Sequence, residues 1–123
     1  MADSGRILIA DDDETFLQST ADLLRREGYV CECASEAGAV IEILRLARYD
    51  LLITDINMPG NTGLELIKNL PENAEGMPVI LVTANHLIDT EIQSLQPPVV
   101  ACMHKPLDLD KLLTQVRISI EGL

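Results

Sequence analysis

The stretch LLITDINMPG, residues 51–60, indicates the fold, because four strand-forming residues are followed directly by a single carboxylate, Asp55. Short apolar runs of this kind are typical of strands buried on both faces of a parallel sheet. The asparagine, proline and glycine that follow Asp55 favour a turn. The stretch therefore predicts a buried strand over 51–54 that ends at an acidic side chain.

Four further apolar runs resemble this one. We predict strands over RILIA (6–10), YVCECA (29–34), VILV (79–82) and VVACM (99–103). The second lies nearer an edge of the sheet in this prediction, because Glu32 interrupts it. Cys31 and Cys33 share a face of that strand, and we expect both to be small buried apolar residues.

Segments with helical spacing separate these strands. We expect the first helix over 14–27, where Gly28 stops it, and the second to begin from a cap at Ser35. The third should run from a Thr62–Glu65 capping box to before Pro71, the fourth should span 86–95, and the last should begin from a cap at Asp108. The residues expected to face the core are Phe16, Leu17, Thr20, Leu23 and Leu24 in the first helix, Ala37, Val40, Ile41, Leu44 and Ala47 in the second, and Leu109, Leu112, Leu113, Val116 and Ile120 in the last. The polar stretch 69–78 is expected to be a surface connection.

Strands that alternate with helices predict an α/β fold, here a doubly wound five-stranded parallel sheet with helices on both faces. The 123 residues are enough for one domain, 1–123, and too few for two. The net charge of −11 has the wrong sign for a chain that itself binds nucleic acid or an anionic membrane. Because the sequence has neither a signal peptide nor a long apolar run, we expect a soluble cytoplasmic protein.

Polar side chains stand where the predicted strands end. The first strand is followed by Asp11, Asp12 and Asp13, the third by Asp55, the fourth by Thr83, and the fifth by His104, Lys105 and Pro106. Parallel strands end at one edge of a sheet, where ligands bind. Clustered carboxylates with room for water suit Mg²⁺. A lysine opposite the metal suits a phosphoryl group, with Asp55 as its acceptor and Thr83 as a hydrogen-bond donor.

Each of these residues also has an ordinary structural interpretation. Asp55 could cap a turn or a helix, and the acidic run at 11–13 could complement a helix dipole. Thr83 could simply end a strand, and Lys105 could be a solvated charge. A calcium-binding loop is excluded, because its required glycine would fall at Phe16. The joint placement at the ends of strands one, three, four and five favours the functional interpretation.

The motifs ILIADDDE, LLITDINMPGNTGLEL, VILVTA and HKPL resemble, in order and spacing, those of the receiver domain of two-component response regulators. The resemblance covers nearly the whole chain. It implies a flavodoxin-like fold with strand order 2-1-3-4-5. It also implies that Asp55 takes a phosphoryl group from a phosphohistidine of a sensor histidine kinase or histidine phosphotransfer protein, so that the domain acts as a switch and not as an enzyme with a separate substrate.

The resemblance also assigns roles to single residues. Asp12 and Asp55 would bind Mg²⁺ through their side chains, Asn57 would bind it through its backbone carbonyl, and Asp11 would hold a water on the metal. Thr83 and Lys105 would contact the phosphoryl group. Pro106 would follow the lysine as in the family, often through a cis peptide bond.

Three positions depart from the family pattern. Thr62 stands where Asp is common, Pro97–Pro98 where Gly or Ala is usual, and Cys102 where strand five usually carries an aromatic residue. The last two lie beside the face that such domains commonly use for output. The family's switch region would consist of Thr83 and Cys102, but a thiol has no ring to swing. We therefore expect residues 87–102 to shift little on phosphorylation.

Two other functions remain open. A pseudo-receiver would only bind partner proteins and would not bind Mg²⁺. A metal-dependent aspartyl phosphatase on a similar sheet would want a second acid two residues after its nucleophile, where this chain has Asn57. The sequence specifies neither the cognate kinase nor the downstream effector domain or protein.

Overall fold

The computed structural model of the protein describes residues 5–56, 58, 65–84 and 97–122. Its elements in chain order are β1 (Arg6–Ala10), α1 (Glu14–Arg26), β2 (Val30–Ala34), α2 (Ala37–Leu46), β3 (Leu51–Asp55), α3 (Glu65–Lys68), a 3-10 turn (Glu72–Ala74), β4 (Val79–Thr83), β5 (Val99–His104) and α4 (Leu109–Glu121). Strands alternating with helices confirm the predicted α/β organisation. The helix predicted over 86–95 and the cap at Thr62 lie outside the described residues.

The five strands form one sheet in the order β2-β1-β3-β4-β5, and every neighbouring pair is parallel. The order is the one that the family resemblance implies. Ala10 lies beside Thr54 and Asp55 beside Val82, so the central strands end level with one another. We call this end of the sheet the carboxyl edge and the opposite end the amino edge. The outer position of β2, with its Glu32, confirms the sequence prediction.

Apolar layers cover both faces of the sheet, which confirms the doubly wound arrangement. One layer contains Leu8, Leu52 and Leu81 with Val40 and Leu44 of α2, and the other contains Ile9 and Ile53 with Leu24 of α1 and Leu112 and Val116 of α4. All of these side chains are at most 1% exposed. Burying each one contributes about 2 kcal/mol of transfer free energy, so the two layers hold the strand ends in a fixed relation.

Helix α1 stops at Gly28, as the sequence predicts. The Gly28 N–H donates to the Arg25 carbonyl at 3.0 Å, and the Tyr29 N–H donates to the Leu24 carbonyl at 3.2 Å. This pair of bonds is a Schellman motif, which needs a left-handed residue after the helix cap. Gly28 supplies it with φ +98°, and the chain turns directly into β2.

Helical periodicity identified the buried faces but not the ends of the helices. Asp108 caps α4 as predicted, because its carboxylate accepts from the N–H groups of Asp110 and Lys111. The expectation that Leu109 faces the core is wrong: it is the first residue of α4 and is 51% exposed. The predicted cap at Ser35 is also wrong, because the N-cap of α2 is Glu36, whose side chain makes no capping hydrogen bond.

The connection over 69–78 is more than the predicted surface loop. It contains the 3-10 turn, and its Ala74 and Met77 are buried in the layer beneath α2. The Asn73 side-chain amide donates to the Leu44 carbonyl at 3.2 Å. This bond satisfies one of the carbonyl groups that the end of α2 leaves without a helical partner, so the connection fastens α2 to the sheet.

The cysteines are free thiols with different exposure. Cys31 is buried as predicted, and burial raises the pKa of its thiol to about 11. Cys33 is only half-buried, which corrects the expectation that it is buried like Cys31. Cys102 packs against the core from the outer strand β5 and is half-buried. In the part of the chain that the structure describes, no helix has the length and apolar character to cross a membrane.

The start of β1 and the end of α4 meet at the amino edge. Gly5 has φ +107°, and a Cβ placed on it would lie 3.0 Å from Cγ2 of Ile120. Both the left-handed backbone and the close approach require glycine at this position. Nearby, the Tyr29 hydroxyl donates to Oε2 of Glu121 at 2.8 Å, so the last turn of α4 is tied to the residue that precedes β2.

Candidate functional site

The carboxyl edge brings together most of the side chains that the sequence singled out. Asp11 follows β1, Asp55 ends β3, Thr83 ends β4, and Lys105 follows β5. Their backbones are fixed by the sheet: the Asp11 N–H donates to the Ala34 carbonyl, and the Lys105 N–H donates to the Thr83 carbonyl at 2.9 Å. The site is therefore built on rigid strand ends.

Lys105 bridges the two buried acids. Its Nζ lies 2.6 Å from Oδ2 of Asp11 and 3.3 Å from Oδ2 of Asp55, to which it donates a hydrogen bond. The lysine side chain is 19% exposed, so this is not the solvated charge of the alternative interpretation. The peptide bond between Lys105 and Pro106 is cis, as the resemblance implies.

Asp11 is the most deeply buried member of the site. It is 0% exposed, and its Oδ1 accepts the Asp13 N–H at 2.9 Å. Burial raises the pKa of its carboxyl group, and the nearby charge of Asp55 adds to that rise, while Lys105 and the Asp13 N–H oppose it. For Lys105, burial lowers the pKa of the ammonium, but Asp11 and Asp55 outweigh burial and leave that pKa raised. A second cation would relieve the remaining acidic charge.

The acids at this edge fit a divalent cation. Asp11, Asp12 and Asp55 each offer a carboxylate oxygen, and these oxygens all lie within 4.8 Å of one another. Oδ2 of Asp11 is buried and accepts no well-directed hydrogen bond, although Lys105 lies close to it. Asp12 is exposed and opens the cluster to solvent. Oxygen ligands with access to water are the set that Mg²⁺ prefers. Asn57, the predicted backbone ligand, lies outside the described residues.

The third acid of the run at 11–13 has a different role. Asp13 is the N-cap of α1, and its Oδ1 accepts the Phe16 N–H at 3.2 Å. Asp13 therefore serves helix α1 as its cap, a role that the sequence analysis had considered for Asp55, while Asp11 and Asp12 belong to the acidic cluster. Thr83 is fully buried and lies beside His104 in the register of β4 and β5.

Phe16 is a member of the site that the sequence analysis did not identify as one. The Lys105 Nζ lies 4.5 Å from the centroid of its ring, within the range of a cation–π interaction. The sequence analysis placed Phe16 only on the core-facing stripe of α1. The available signal was its rarity, because it is the sole phenylalanine of a chain with 2% aromatic residues, and it follows the acidic run by one helical turn.

Known proteins resemble the chain over almost all of its length. The model of the family described as "Response regulator receiver domain" matches residues 7–117. The DNA-binding transcriptional regulator NtrC of Proteus hauseri is 30% identical over 116 residues, which are 94% of this chain and 24% of that protein. The transcriptional regulatory protein PmrA of Pectobacterium parmentieri is 30% identical over 94% of this chain and 52% of its own length. The chain thus spans about half or less of these relatives.

Solved structures of receiver-domain proteins share the fold of this chain. The CheY-like response regulator receiver domain protein of Methanospirillum hungatei JF-1 superposes with a TM-score of 0.86 at 32% identity, covering 95% of this chain and 94% of that one. The response regulator protein TrrA of Thermotoga maritima, solved in complex with Mg²⁺-BeF, gives a TM-score of 0.81 at 27% identity, covering 93% of this chain and 97% of that one.

Proposed function

Because the chain belongs to the response regulator receiver domain family, which consists of phosphoacceptor signalling domains, we propose that Asp55 is its phosphorylation site. The donor would be a phosphohistidine of a sensor histidine kinase or of a histidine phosphotransfer protein. One observation carries the proposal: Lys105 holds its ammonium 3.3 Å from the Asp55 carboxylate at the end of a buried strand. That arrangement gives a nucleophilic oxygen and a fixed positive charge beside it.

In this proposal a carboxylate oxygen of Asp55 forms a bond to phosphorus as the phosphorus–nitrogen bond of the donor breaks and the imidazole leaves. Lys105 exchanges its contact with the Asp55 carboxylate for one with the transferred oxygens, whose growing charge it offsets. Thr83 donates a hydrogen bond to one of those oxygens. The product is an acyl phosphate on the protein, and no separate substrate is turned over.

We further propose that the cation is Mg²⁺, held by the side chains of Asp12 and Asp55, by a water on Asp11, and by the backbone carbonyl of Asn57. TrrA is a relative that was solved with Mg²⁺-BeF, and the three carboxylates here are the matching donor type. Bound Mg²⁺ supplies positive charge for the phosphoryl oxygens. Asp11 also lies 2.6 Å from the Lys105 ammonium and helps to hold it beside Asp55.

The assignment is tested by chemical labelling. The protein is incubated with acetyl phosphate and Mg²⁺, the acyl phosphate is trapped, and the modified peptide is identified by mass spectrometry. We expect label on Asp55 and none in an Asp55→Ala protein. The matched control is Asp13→Asn, which keeps the helix cap and changes an acid outside the cluster, and it should be labelled normally. Label on another carboxylate would reject the assignment.

The two alternative functions are not favoured. A pseudo-receiver has no need for the buried pair of Asp11 and Lys105, whose 2.6 Å contact costs desolvation of both charges. An aspartyl phosphatase would release phosphate from a phosphomonoester. Measured binding of Mg²⁺ would exclude the first alternative, and a lack of phosphomonoester turnover would exclude the second.

The setting of the domain is also a proposal. We infer that residues 1–123 form a single receiver domain that works in the cytoplasm and is switched by phosphorylation. Some relatives carry other regions on the same chain: the sensor histidine kinase RcsC of Escherichia coli is matched over 12% of its length, and PmrA over 52%. The output belongs in this proposal to such a region or to a separate protein, and this domain itself binds neither nucleic acid nor membrane.

A further inference from the structure

The ammonium of Lys105 is surrounded unevenly. It lies closer to Asp11 (2.6 Å) than to Asp55 (3.3 Å), although Asp55 is the residue that would carry the phosphoryl group. The ring of Phe16, with its centroid 4.5 Å away, is the third partner of Nζ that the described residues provide. The contacts of Lys105 with the two carboxylates will change when a phosphoryl group adds charge to the site. Its contact with the ring does not depend on the charge of Asp55.

Phe16 has the right properties for such a contact. It belongs to the first turn of α1, and its backbone N–H is fixed by the Asp13 cap at 3.2 Å. Its side chain is half-buried against the apolar layer that also holds Leu17 and Leu112. The face of an aromatic ring attracts an ammonium without adding a formal charge to an already acidic site. An aliphatic side chain of the same size would fill the space but attract the ammonium less.

We propose that Phe16 is a positioning residue for phosphoryl transfer, one that holds the Lys105 ammonium within reach of Asp55 through a cation–π contact. The inference rests on the proposed function of Asp55 and Lys105. When the phosphoryl group arrives, Lys105 has to leave one carboxylate contact and meet new oxygens. The ring limits how far the ammonium can follow Asp11 or move into solvent during that exchange.

The first experiment measures the rate of Asp55 labelling by acetyl phosphate, a small donor that needs no partner protein. Phe16→Leu and Phe16→Met keep an apolar side chain and remove the ring face, and both should label more slowly, on the order of fivefold. Phe16→Tyr keeps the ring and should stay close to the wild-type rate. Leu23→Met, a matched change in a half-buried residue of the same helix, should leave the rate unchanged.

The second experiment tests the contact itself with a double-mutant cycle, measured by urea unfolding. Phe16→Leu and Lys105→Met should each destabilise the protein, and together they should cost less than the sum of their separate effects. This measurement gives a result even where Lys105→Met prevents labelling. Labelling rates are compared only under conditions in which every variant is folded.

Three outcomes would overturn the inference: wild-type labelling rates in Phe16→Leu, equal slowing in Phe16→Leu and Phe16→Tyr, or strictly additive costs in the cycle. Equal slowing would mean that shape and not the ring face matters. A wild-type protein that is not labelled on Asp55 would overturn the proposed function and this inference together. Normal wild-type labelling with an unaffected Phe16→Leu protein would overturn this inference alone.

Discussion

Asp11 and Asp12 are neighbours in sequence but lie in opposite surroundings. Asp11 is fully buried against Lys105, whereas Asp12 is exposed at the mouth of the acidic cluster. One lysine stands against three carboxylates whose oxygens lie within 4.8 Å of one another, so the cluster carries an excess of negative charge. Repulsion of this kind destabilises the folded protein until a cation joins the site.

Mg²⁺ should therefore raise the melting temperature, because it binds the folded state and not the unfolded chain. At ten times its dissociation constant, the expected gain is about 1.4 kcal/mol in the free energy of unfolding, or roughly 5 °C. Asp12→Ala removes one repelling carboxylate, and should stabilise the metal-free protein while abolishing the effect of Mg²⁺. Thermal unfolding with and without MgCl₂ measures both. An Asp12→Ala protein that millimolar Mg²⁺ still stabilises would contradict the assignment.

The meeting of these polar residues at one edge of the sheet could be predicted from the sequence, but not how their side chains contact one another. Strand ends that carry Asp11, Asp55, Thr83 and Lys105 must converge once the strands are parallel. The sequence did not distinguish the cap Asp13 from its acidic neighbours, because all three precede a helix. Nor did it place Phe16 at the ammonium, since a helical stripe shows that a residue faces inward but not which side chain it meets.

At the scale of elements, the bond between Tyr29 and Glu121 ties the start of β2 to the end of α4. The Tyr29 ring is buried, and burial together with the bond to the Glu121 carboxylate raises the pKa of its hydroxyl from 10.0 to about 12. A pKa raised in the folded state means that this contribution to stability is complete below pH 10. It is then lost as the pH rises through 12.

Tyr29→Phe should accordingly lower the free energy of unfolding by about 1 kcal/mol near pH 7.5, because a hydrogen bond to a charged acceptor is lost. The difference between the two proteins should shrink between pH 10 and pH 12. Urea unfolding of both proteins across this range measures it. In a Glu121→Gln background, the same substitution should cost less. A difference that stays constant up to pH 12 would show that ring packing, and not the hydroxyl, is responsible.

Elements were predictable where one local signal dominates, and not where tertiary context decides. All five strands were found from apolar runs, and α1 ends at Gly28 because that position needs a left-handed backbone. Leu109 has the correct helical spacing, but it begins its helix beyond the apolar layer and stays exposed. The buried Ala74 could not be foreseen in a polar stretch, because its burial depends on where α2 lies.

At the scale of the whole molecule, Lys105 connects the site to β5, which it directly follows. Its N–H donates to the carbonyl of Thr83, at the end of β4, at 2.9 Å. The family's aromatic position in β5 is occupied by Cys102, which packs against the core and is half-buried. A thiol cannot fill or vacate the volume of a ring. The role of Cys102 in switching thus stays a prediction. We expect residues 87–102 to shift little when Asp55 is phosphorylated.

A phosphoryl mimic such as beryllofluoride, added with Mg²⁺, should slow amide hydrogen exchange at Ile56, Ala84 and Lys105. The amides of β5 from Val99 to Cys102 should change much less, since nothing at Cys102 can transmit a ring movement. Hydrogen exchange measured by mass spectrometry on short peptides resolves these regions. An Asp55→Ala protein, which lacks the acceptor, should show no response at either place. Strong protection across β5 would show that this face switches without an aromatic residue.

The contact of Gly5 with Ile120 at the amino edge also bears on the connectivity of the chain. Circular permutation succeeds where two chain ends lie close together and a new opening falls in an exposed turn. A linker from residue 122 to residue 5, with new ends between Glu75 and Gly76, meets both conditions, because Gly5 lies close to Ile120 and because Glu75 and Gly76 are exposed. Such a permutant would keep every strand intact and the acceptor at the far edge. Acetyl phosphate should still label it on Asp55, because the fold depends on how its elements pack and not on the order in which they are synthesised.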